Sequence, residues 1–190
     1  MAQYKILDQQ SFSSEKYTLV PIRMEDRFDI MKWRNEQIYH LRQAEPLTEG
    51  EQNWYFDHVV AKLFDSEKPS QLLFSFLADN KCIGYGGLVH INWLDKHAEL
   101  SFIMATDLEE DNFDAIWSAY LPLIEEVAFR NLDFHKLFVY AFDLRPHLYK
   151  SLEKNGYFQD ARLKDHCFFQ GEFKDVVIHS KLRNKWRLHY

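Results

Sequence analysis

The sequence is poor in the residues that mark several functional classes. Its 190 residues include two cysteines and six glycines. Cys82 and Cys167 form no Cys-x-x-Cys pair, so we interpret them as buried free thiols rather than redox or metal ligands. The nine histidines form no His-x-x-His, His-Glu-x-x-His or mixed His/Cys motif. Since these are the common zinc-site patterns, we expect no metal centre.

Basic residues are also in the minority. Lys and Arg number 23 against 29 acidic residues, a formal net charge of −6, whereas binding to nucleic acid requires the opposite balance. No stretch approaches the length of about 18 apolar residues that spans a membrane, and the N-terminus has no signal-peptide pattern. We therefore expect a cytoplasmic monomer or homodimer with no nucleic-acid or membrane partner.

Apolar residues, in contrast, are abundant. The chain is 46% hydrophobic and 16% aromatic, and a chain of this length can bury a sizeable core in one domain. Its periodicity predicts a strand, two helices, three strands, a long helix, a strand, a short helix and two final strands. This order indicates a mixed α/β domain over residues 17–190, preceded by a loose lead-in at residues 1–16.

Local signals fix some of these boundaries. Thr48 and Glu51 match a capping box at the start of the second helix. Pro146 occupies the favoured first position of the short helix, and Gly156 follows its end. Pro122 falls inside the long apolar stripe of residues 113–128, so we expect the long helix to bend or split there.

Several segments carry a family resemblance in their order and spacing. They are residues 19–22 followed by Trp33-Arg34-Asn35, residues 46–48 with Gln52 and Trp54, residues 83–88, residues 98–103, residues 154–157, and Gly171, Asp175 and Lys185-Trp186. Over residues 17–187 this pattern resembles the GNAT N-acetyltransferase superfamily. It is most similar to the branch that acetylates ribosomal-protein N-termini, spermidine or nucleotide-linked aminosugars.

The resemblance implies a single GNAT-like domain, a mixed central sheet flanked by helices. It implies transfer of an acetyl group from acetyl-CoA, as co-substrate, to a primary amine by direct attack. We expect a small-molecule acceptor such as a nucleotide-linked aminosugar, and a protein N-terminus is the alternative substrate. A second alternative is a non-catalytic GNAT-like binding module with a degenerate CoA site.

The resemblance also assigns the cofactor-binding residues. In the family, the fourth strand splays from the fifth and binds the pantetheine arm through backbone N–H groups, here those of Phe102, Ile103 and Met104. The pyrophosphate loop at the start of the long helix corresponds to Asn112, Phe113, Asp114 and Ala115. This stretch lacks the glycines that let backbone N–H groups approach a phosphate closely, and acidic residues surround it. We therefore expect CoA to depend on strand contacts and on Arg145.

Three residues are candidates for the chemistry, which needs a base for the amine and a proton donor for the thiolate. Glu99 is the predicted base, because it shares a strand face with His97 and Ser101; a salt-bridged structural role is the alternative. His90 is expected to contact the acceptor or to relay a proton, and Tyr149 to act as general acid. For both, a structural role remains the alternative.

The acceptor is expected to contact aromatic and polar residues in the first predicted helix and just after the predicted strand at residues 82–92, which resembles the family's third strand. The predicted contacts are Trp33, Arg34, Asn35 and Trp93. Arg34 and Asn35 are suited to bind acceptor hydroxyls or a phosphate, or they are exposed polar residues at a helix end.

Overall fold

The strands of this chain assemble into one twisted sheet in a computed structural model that describes residues 2–41 and 43–186. The sheet order is β1-β2-β3-β4-β5-β6-β8-β7. Every neighbouring pair is antiparallel except β5 and β6, which run parallel. The strands are β1 (Phe12–Ser14), β2 (Tyr17–Pro21), β3 (Leu72–Ala78), β4 (Lys81–Asn92), β5 (His97–Met104), β6 (Lys136–Phe142), β7 (Phe158–Phe169) and β8 (Glu172–Leu182).

Helices connect and flank this sheet. They are α1 (Arg27–Glu36), α2 (Glu49–Tyr55), α3 (Ala61–Phe64), α4 (Thr106–Glu125), α5 (Pro146–Lys154) and α6 (Arg183–Trp186). A π-helical turn, Phe56–Val60, joins α2 to α3, and a second one, Glu126–Asn131, continues α4. The predicted α/β architecture, a mixed sheet flanked by helices, is confirmed.

Helix α4 fixes the position of β5, the strand that carries Glu99. The rings of Phe102 on β5 and Tyr120 on α4 stack with their centroids 3.9 Å apart. Trp117 meets the same Phe102 ring edge-on at 5.2 Å. Aromatic pairs of this kind stabilise a core by about 0.5–1.5 kcal/mol beyond the burial of their area. The strand therefore lies on a rigid aromatic layer.

The expected helix signals are present, with one difference. Thr48 and Glu51 form the capping box, and Pro146 begins α5. Pro122 lies within the continuous α4, so the helix is not split there. The helix continues through the proline for three more residues before its π-helical turn begins.

The prediction of a loose lead-in at residues 1–16 is wrong. Tyr4, Leu7 and Phe12 are buried members of the core. The Tyr4 hydroxyl donates to the Leu73 carbonyl at 2.7 Å and accepts from the Leu73 N–H at 2.8 Å. These residues belong to the domain, because they are part of its core and Tyr4 is bonded to β3. The last four residues of the predicted domain lie outside the described ranges.

Composition-based expectations about membranes and metals can be compared with the described ranges. None of the helices there is long and apolar enough to cross a bilayer. In the same ranges no three His, Cys, Asp or Glu side chains gather as metal ligands do. Cys82 is buried, and burial raises the pKa of its thiol to about 12.

Candidate active site

The parallel strands β5 and β6 separate after a short paired stretch. Pairing runs from His97 opposite Lys136 to Glu99 opposite Phe138 and then stops. Beyond this point a cleft of about 320 Å³ opens, with residues 100–103 of β5 and residues 139–142 of β6 on its two sides. We call it the donor cleft. Its walls are strands whose backbone groups are not used for pairing with each other.

Backbone N–H groups of β5 are directed into this opening. In an antiparallel ladder, every second residue of a strand forms backbone hydrogen bonds with the neighbouring strand. On β5, the Ala105 N–H donates to the Ile83 carbonyl of β4 in this way. The same alternation turns the backbone of Phe102 and Met104 away from β4. Consistently, the Met104 carbonyl accepts a bond from Gln37 Nε2 at 2.8 Å. Of the three residues predicted to hold the pantetheine arm, Phe102 and Ile103 line the cleft and Met104 does not. By the same alternation the backbone of Ile103 faces β4, so Phe102 alone of the three both lines the cleft and directs its N–H towards it.

Glu99 and His90 are brought together at the edge of the donor cleft, and both line it. His90 Nδ1 lies 2.7 Å from Glu99 Oε2. The Glu99 side chain is 20% exposed, whereas His90 is 73% exposed. His90 has a positive φ of +47° at a register shift between β4 and β5. Such a bulge re-aims a side chain, and here it brings the imidazole to the carboxylate.

Tyr149 lies elsewhere. Its hydroxyl is 3.1 Å from Asp143 Oδ1 and 3.3 Å from the Phe142 carbonyl, and its ring stacks on His179. Burial and the Asp143 charge raise the pKa of Tyr149. Tyr149 is not among the residues that line the donor cleft, so the structure does not bring it together with Glu99. A raised pKa and a carboxylate partner make it a poor proton donor to a distant thiolate.

The predicted position of the pyrophosphate loop is wrong. Helix α4 begins at Thr106, so Asn112, Phe113, Asp114 and Ala115 lie in its second and third turns. Backbone N–H groups inside a helix bond to carbonyls four residues earlier and have none left for a phosphate. The unsatisfied N–H groups belong instead to the first turn, which starts at Thr106.

The side chains of this stretch are engaged as well. Asp114 accepts bonds from Lys154 Nζ at 2.5 Å and Ser151 Oγ at 3.0 Å, which ties α4 to α5. Phe113 is buried and meets the His147 ring edge-on at 4.4 Å. Both residues therefore serve packing between the two helices.

Arg145, which is predicted to contact the cofactor, lines the donor cleft, but its guanidinium already forms an ion pair. Its Nη1 donates to Glu109 Oε1 at 3.0 Å, and both side chains are largely buried. Burial lowers the Arg145 pKa, opposed by the Glu109 charge. Burial and the Arg145 charge also lower the pKa of the neighbouring His40 to about 3, so this imidazole is neutral at physiological pH. Arg145 is thus a cation beside the first turn of α4, and it is paired with Glu109 of that turn.

A second cavity adjoins the donor cleft on the side of α1 and α2. It holds about 270 Å³ and shares Arg34, Val89 and Ser101 with the cleft. We call it the acceptor cavity. Its polar wall includes the Tyr55 hydroxyl, which accepts from Gln71 Nε2 at 2.9 Å, and the Tyr85 hydroxyl, which accepts from Arg34 Nη1 at 2.7 Å.

Of the four residues predicted to contact the acceptor, Arg34 alone lines the donor cleft or the acceptor cavity. Trp33 is buried in the core. The Asn35 side chain binds the loop before α2: Oδ1 accepts from the Leu47 N–H at 2.7 Å and Nδ2 donates to the Leu47 carbonyl at 2.9 Å. Trp93 packs edge-on against Phe134 and donates to the Pro69 carbonyl. These three predictions are therefore not supported by the geometry, since the side chains are occupied by packing or by the backbone.

Residues that sequence reasoning missed complete the site. Ser101 lines both cavities, and its alternation with Glu99 on β5 is a signal that points to it. Tyr140 lines the donor cleft from β6. Tyr55 ends α2, Gln71 precedes β3 and Tyr85 lies in β4, and no local pattern in the sequence connects the three.

Comparisons with known proteins agree with this geometry. A family model described as an acetyltransferase (GNAT) domain matches residues 19–178. The structure is similar to spermidine N-acetyltransferase from Vibrio cholerae in complex with CoA and spermine, with a TM-score of 0.77 and 18% identity over 92% of this chain and 99% of that chain.

Mutant forms of the spermidine/spermine N-acetyltransferase SpeG from Vibrio cholerae give a TM-score of 0.74 and 19% identity over 93% of this chain and 99% of theirs. Likeness at these identities concerns the fold. No curated protein sequence matches the chain significantly.

Proposed function

The chain belongs to the GNAT acetyltransferase family and is an acetyl-CoA-dependent N-acetyltransferase, and we propose that its acceptor is the primary amine of a small molecule, an aminosugar, held in the acceptor cavity. The observation that carries this proposal is the junction of the two cavities. Arg34, Val89 and Ser101 belong to both, with Glu99 two residues from Ser101 on the same strand face. An amine at this junction would lie beside both the strand N–H groups and a carboxylate.

Glu99 is suited to accept the proton that the amine loses. His90 Nδ1, when protonated, donates to Oε2, which leaves Oε1 for the amine or a bridging water. The imidazole is exposed to solvent, so it offers the proton a route out of the cleft. General-base assistance of this kind contributes about 10²–10⁴-fold to a rate.

The strand backbone supplies the other contribution. Acetyl-CoA, when bound, brings an acetyl thioester that an amine can attack directly. The N–H of Phe102 faces the opening between β5 and β6 and is suited to donate to a carbonyl oxygen there. A fixed N–H donor stabilises developing negative charge because it needs no reorganisation during the reaction.

The wall of the acceptor cavity favours an aminosugar over a polyamine. Tyr55 and Tyr85 offer aromatic surface and hydroxyls, and Gln71 offers an amide, a mixture suited to a hydroxylated ring. The single carboxylate in the described wall, Glu51, caps α2 by accepting from the Thr48 N–H and hydroxyl at 2.8 Å each. A polyamine would find Arg34 there and no uncommitted acidic side chain.

Initial rates with a panel of amines test the proposal. We expect acetylation of an aminosugar, free or nucleotide-linked, with kcat/KM at least about tenfold above that for spermidine. Like charges placed against each other cost several kcal/mol, and about 1.4 kcal/mol corresponds to a factor of ten. Release of the CoA thiol measures the rate, and mass spectrometry identifies the acetylated product. Preferred acetylation of spermidine, or of a peptide N-terminus, would contradict the aminosugar assignment.

We also propose that Arg145 contacts a phosphate of CoA while it stays paired with Glu109. Removing Arg145 alone would leave Glu109 buried and unpaired, so the informative comparison is between Glu109→Gln and the double variant Glu109→Gln/Arg145→Gln. We expect the double variant to bind acetyl-CoA at least about tenfold more weakly, the worth of one hydrogen bond to a charged group.

A thermal shift measures this difference. Acetyl-CoA at 100 times its Kd stabilises a protein by about 2.7 kcal/mol, and after a tenfold loss of affinity the same concentration gives about 1.4 kcal/mol. Equal shifts in the two variants would show that Arg145 does not contact the cofactor.

A further inference from the structure

Arg34 is a half-buried cation without an acidic partner. Its Nη1 donates to the Tyr85 hydroxyl at 2.7 Å and its Nε to Gln43 Oε1 at 3.1 Å, and neither acceptor is a carboxylate. Among the described arginines, only Arg27 shares this property; the others form ion pairs, namely Arg23, Arg130, Arg145, Arg162 and Arg183. Removing a guanidinium from water without a counter-charge is unfavourable, so the absence of a carboxylate at Arg34 needs an explanation.

The position of Arg34 supplies one. It lines both the donor cleft and the acceptor cavity. Its third nitrogen, Nη2, makes no hydrogen bond within the part of the chain that the structure describes. The guanidinium thus presents a charged donor at the place where the two cavities meet. Arg27, in contrast, lines neither of these cavities; it bonds Asn53 and the Met24 carbonyl and lies over the Phe28 ring.

The other titratable groups around this junction do not neutralise Arg34. His40 is neutral, with its pKa lowered to about 3 by burial and by Arg145. The Glu51 carboxylate is held in its helix cap. Glu99 lines the donor cleft and is bonded to His90. The Glu99 carboxylate lies in the donor cleft opposite Val89 of the junction, and the guanidinium of Arg34 lies at the junction itself. This pair of charges is complementary to a molecule that carries an amine and an oxyanion.

We propose that the acceptor bears an oxyanion, a carboxylate or a phosphate, which binds Arg34 while its amine lies at Glu99. This inference rests on the proposed function, since it concerns the acceptor of the same site, and it narrows that acceptor to an anionic amino compound. Arginine suits this role because its planar fork matches the geometry of both oxyanions. A second ammonium group, as in a polyamine, would lie against the guanidinium and be repelled.

Three amines that share the same sugar ring and differ in the group at carbon 6 test the proposal. They are glucosamine, its 6-phosphate and 2-amino-2-deoxyglucuronic acid. Wild-type protein is expected to show a kcat/KM for at least one anionic member about tenfold to a hundredfold above that for glucosamine, as one or two hydrogen bonds to a charged group provide. Whether the phosphate or the carboxylate is preferred identifies the oxyanion. In Arg34→Gln the preference is expected to fall to within about threefold, and in Arg34→Lys to an intermediate value.

Arg27→Gln is the matched control, because it removes the other unpaired arginine from the same helix, and it should keep the full preference. A preference that is absent from wild type, or that persists in Arg34→Gln, overturns the proposal.

Calorimetric binding of the same three amines in the presence of CoA gives a readout that does not need turnover. If no amine is acetylated but the anionic members bind wild type and not Arg34→Gln, the proposed function fails and the oxyanion site stands. If binding is equally weak for all three in both proteins, the oxyanion site is refuted. A thermal melt of each variant excludes a loss of fold as the cause.

Discussion

Glu99→Gln is expected to lower kcat/KM for amine acetylation by about 10²–10⁴-fold, the usual contribution of a general base. The carboxylate lines the donor cleft next to Ser101, which also lines the acceptor cavity. Glutamine has the same size and can still accept a hydrogen bond from His90 through its amide oxygen. The loss should therefore come from the missing base and not from a changed cleft.

The measurement is the initial rate of CoA release at several amine concentrations, with acetyl-CoA binding followed in parallel. We expect acetyl-CoA affinity to change little, because Glu99 lines the part of the donor cleft where we propose that the amine binds. Glu172→Gln is the matched control: this strand carboxylate lies at the exposed β7–β8 turn, where it pairs with Lys174. A Glu99→Gln variant that keeps its rate within about threefold would assign the proton transfer to another group or to water.

The contact between Glu99 and His90 is the kind of feature that sequence reasoning reaches only in part. The strands β4 and β5 were predicted, and a hairpin places residues near its turn opposite each other. The direct partner of Glu99 in the ladder is Val89, however. His90 reaches the carboxylate because a bulge gives it a positive φ. No residue in the sequence predicts that bulge, since it depends on the register in which β4 and β5 pair.

The start of α4 illustrates a different limit. The resemblance places the family's pyrophosphate loop at Asn112–Ala115, so the long helix is predicted to begin after the acidic run of residues 107–111. Acidic side chains are equally favourable in the first turns of a helix, where they interact with the helix dipole. The structure takes the second course: the Ala105 N–H still bonds to the Ile83 carbonyl in the sheet, and the helix begins at the next residue.

The acceptor cavity was the least predictable part. Its wall combines Tyr55 after the capping box, Gln71 before β3 and Tyr85 among the glycines of β4. Each of these residues suits its own segment of the chain, and only the three-dimensional arrangement of these segments around the cavity brings them together. The resemblance of the Trp33-Arg34-Asn35 segment to a family pattern predicts Arg34 as an acceptor contact. Its lack of an acidic partner, in contrast, is visible only in three dimensions.

Gly87→Ala is expected to destabilise the fold by about 2–6 kcal/mol, which is a large share of the roughly 5–15 kcal/mol that holds a typical domain together. Gly87 has a φ of +154°, and a methyl group at its Cβ would lie 1.9 Å from the Leu72 carbonyl oxygen. A disfavoured backbone conformation costs about 1–3 kcal/mol, and overpacking adds about 1–3 kcal/mol. Because the atom in the way belongs to the backbone of β3, no side chain can rotate to make room.

This position also connects the sheet to the site. Gly87 pairs with Leu73 on one side and with Ser101 on the other, so a shift of β4 away from β3 would move the strand that faces both cavities. Urea denaturation measures the loss of stability. Gly50→Ala is the control: Gly50 lies exposed near the start of α2 with nothing within 4 Å of its Cβ position, and alanine there should be neutral or stabilise by up to about 1 kcal/mol. Equal midpoints for the two variants would mean that β3 and β4 can separate without cost, and that the close approach at Gly87 does not support the cleft.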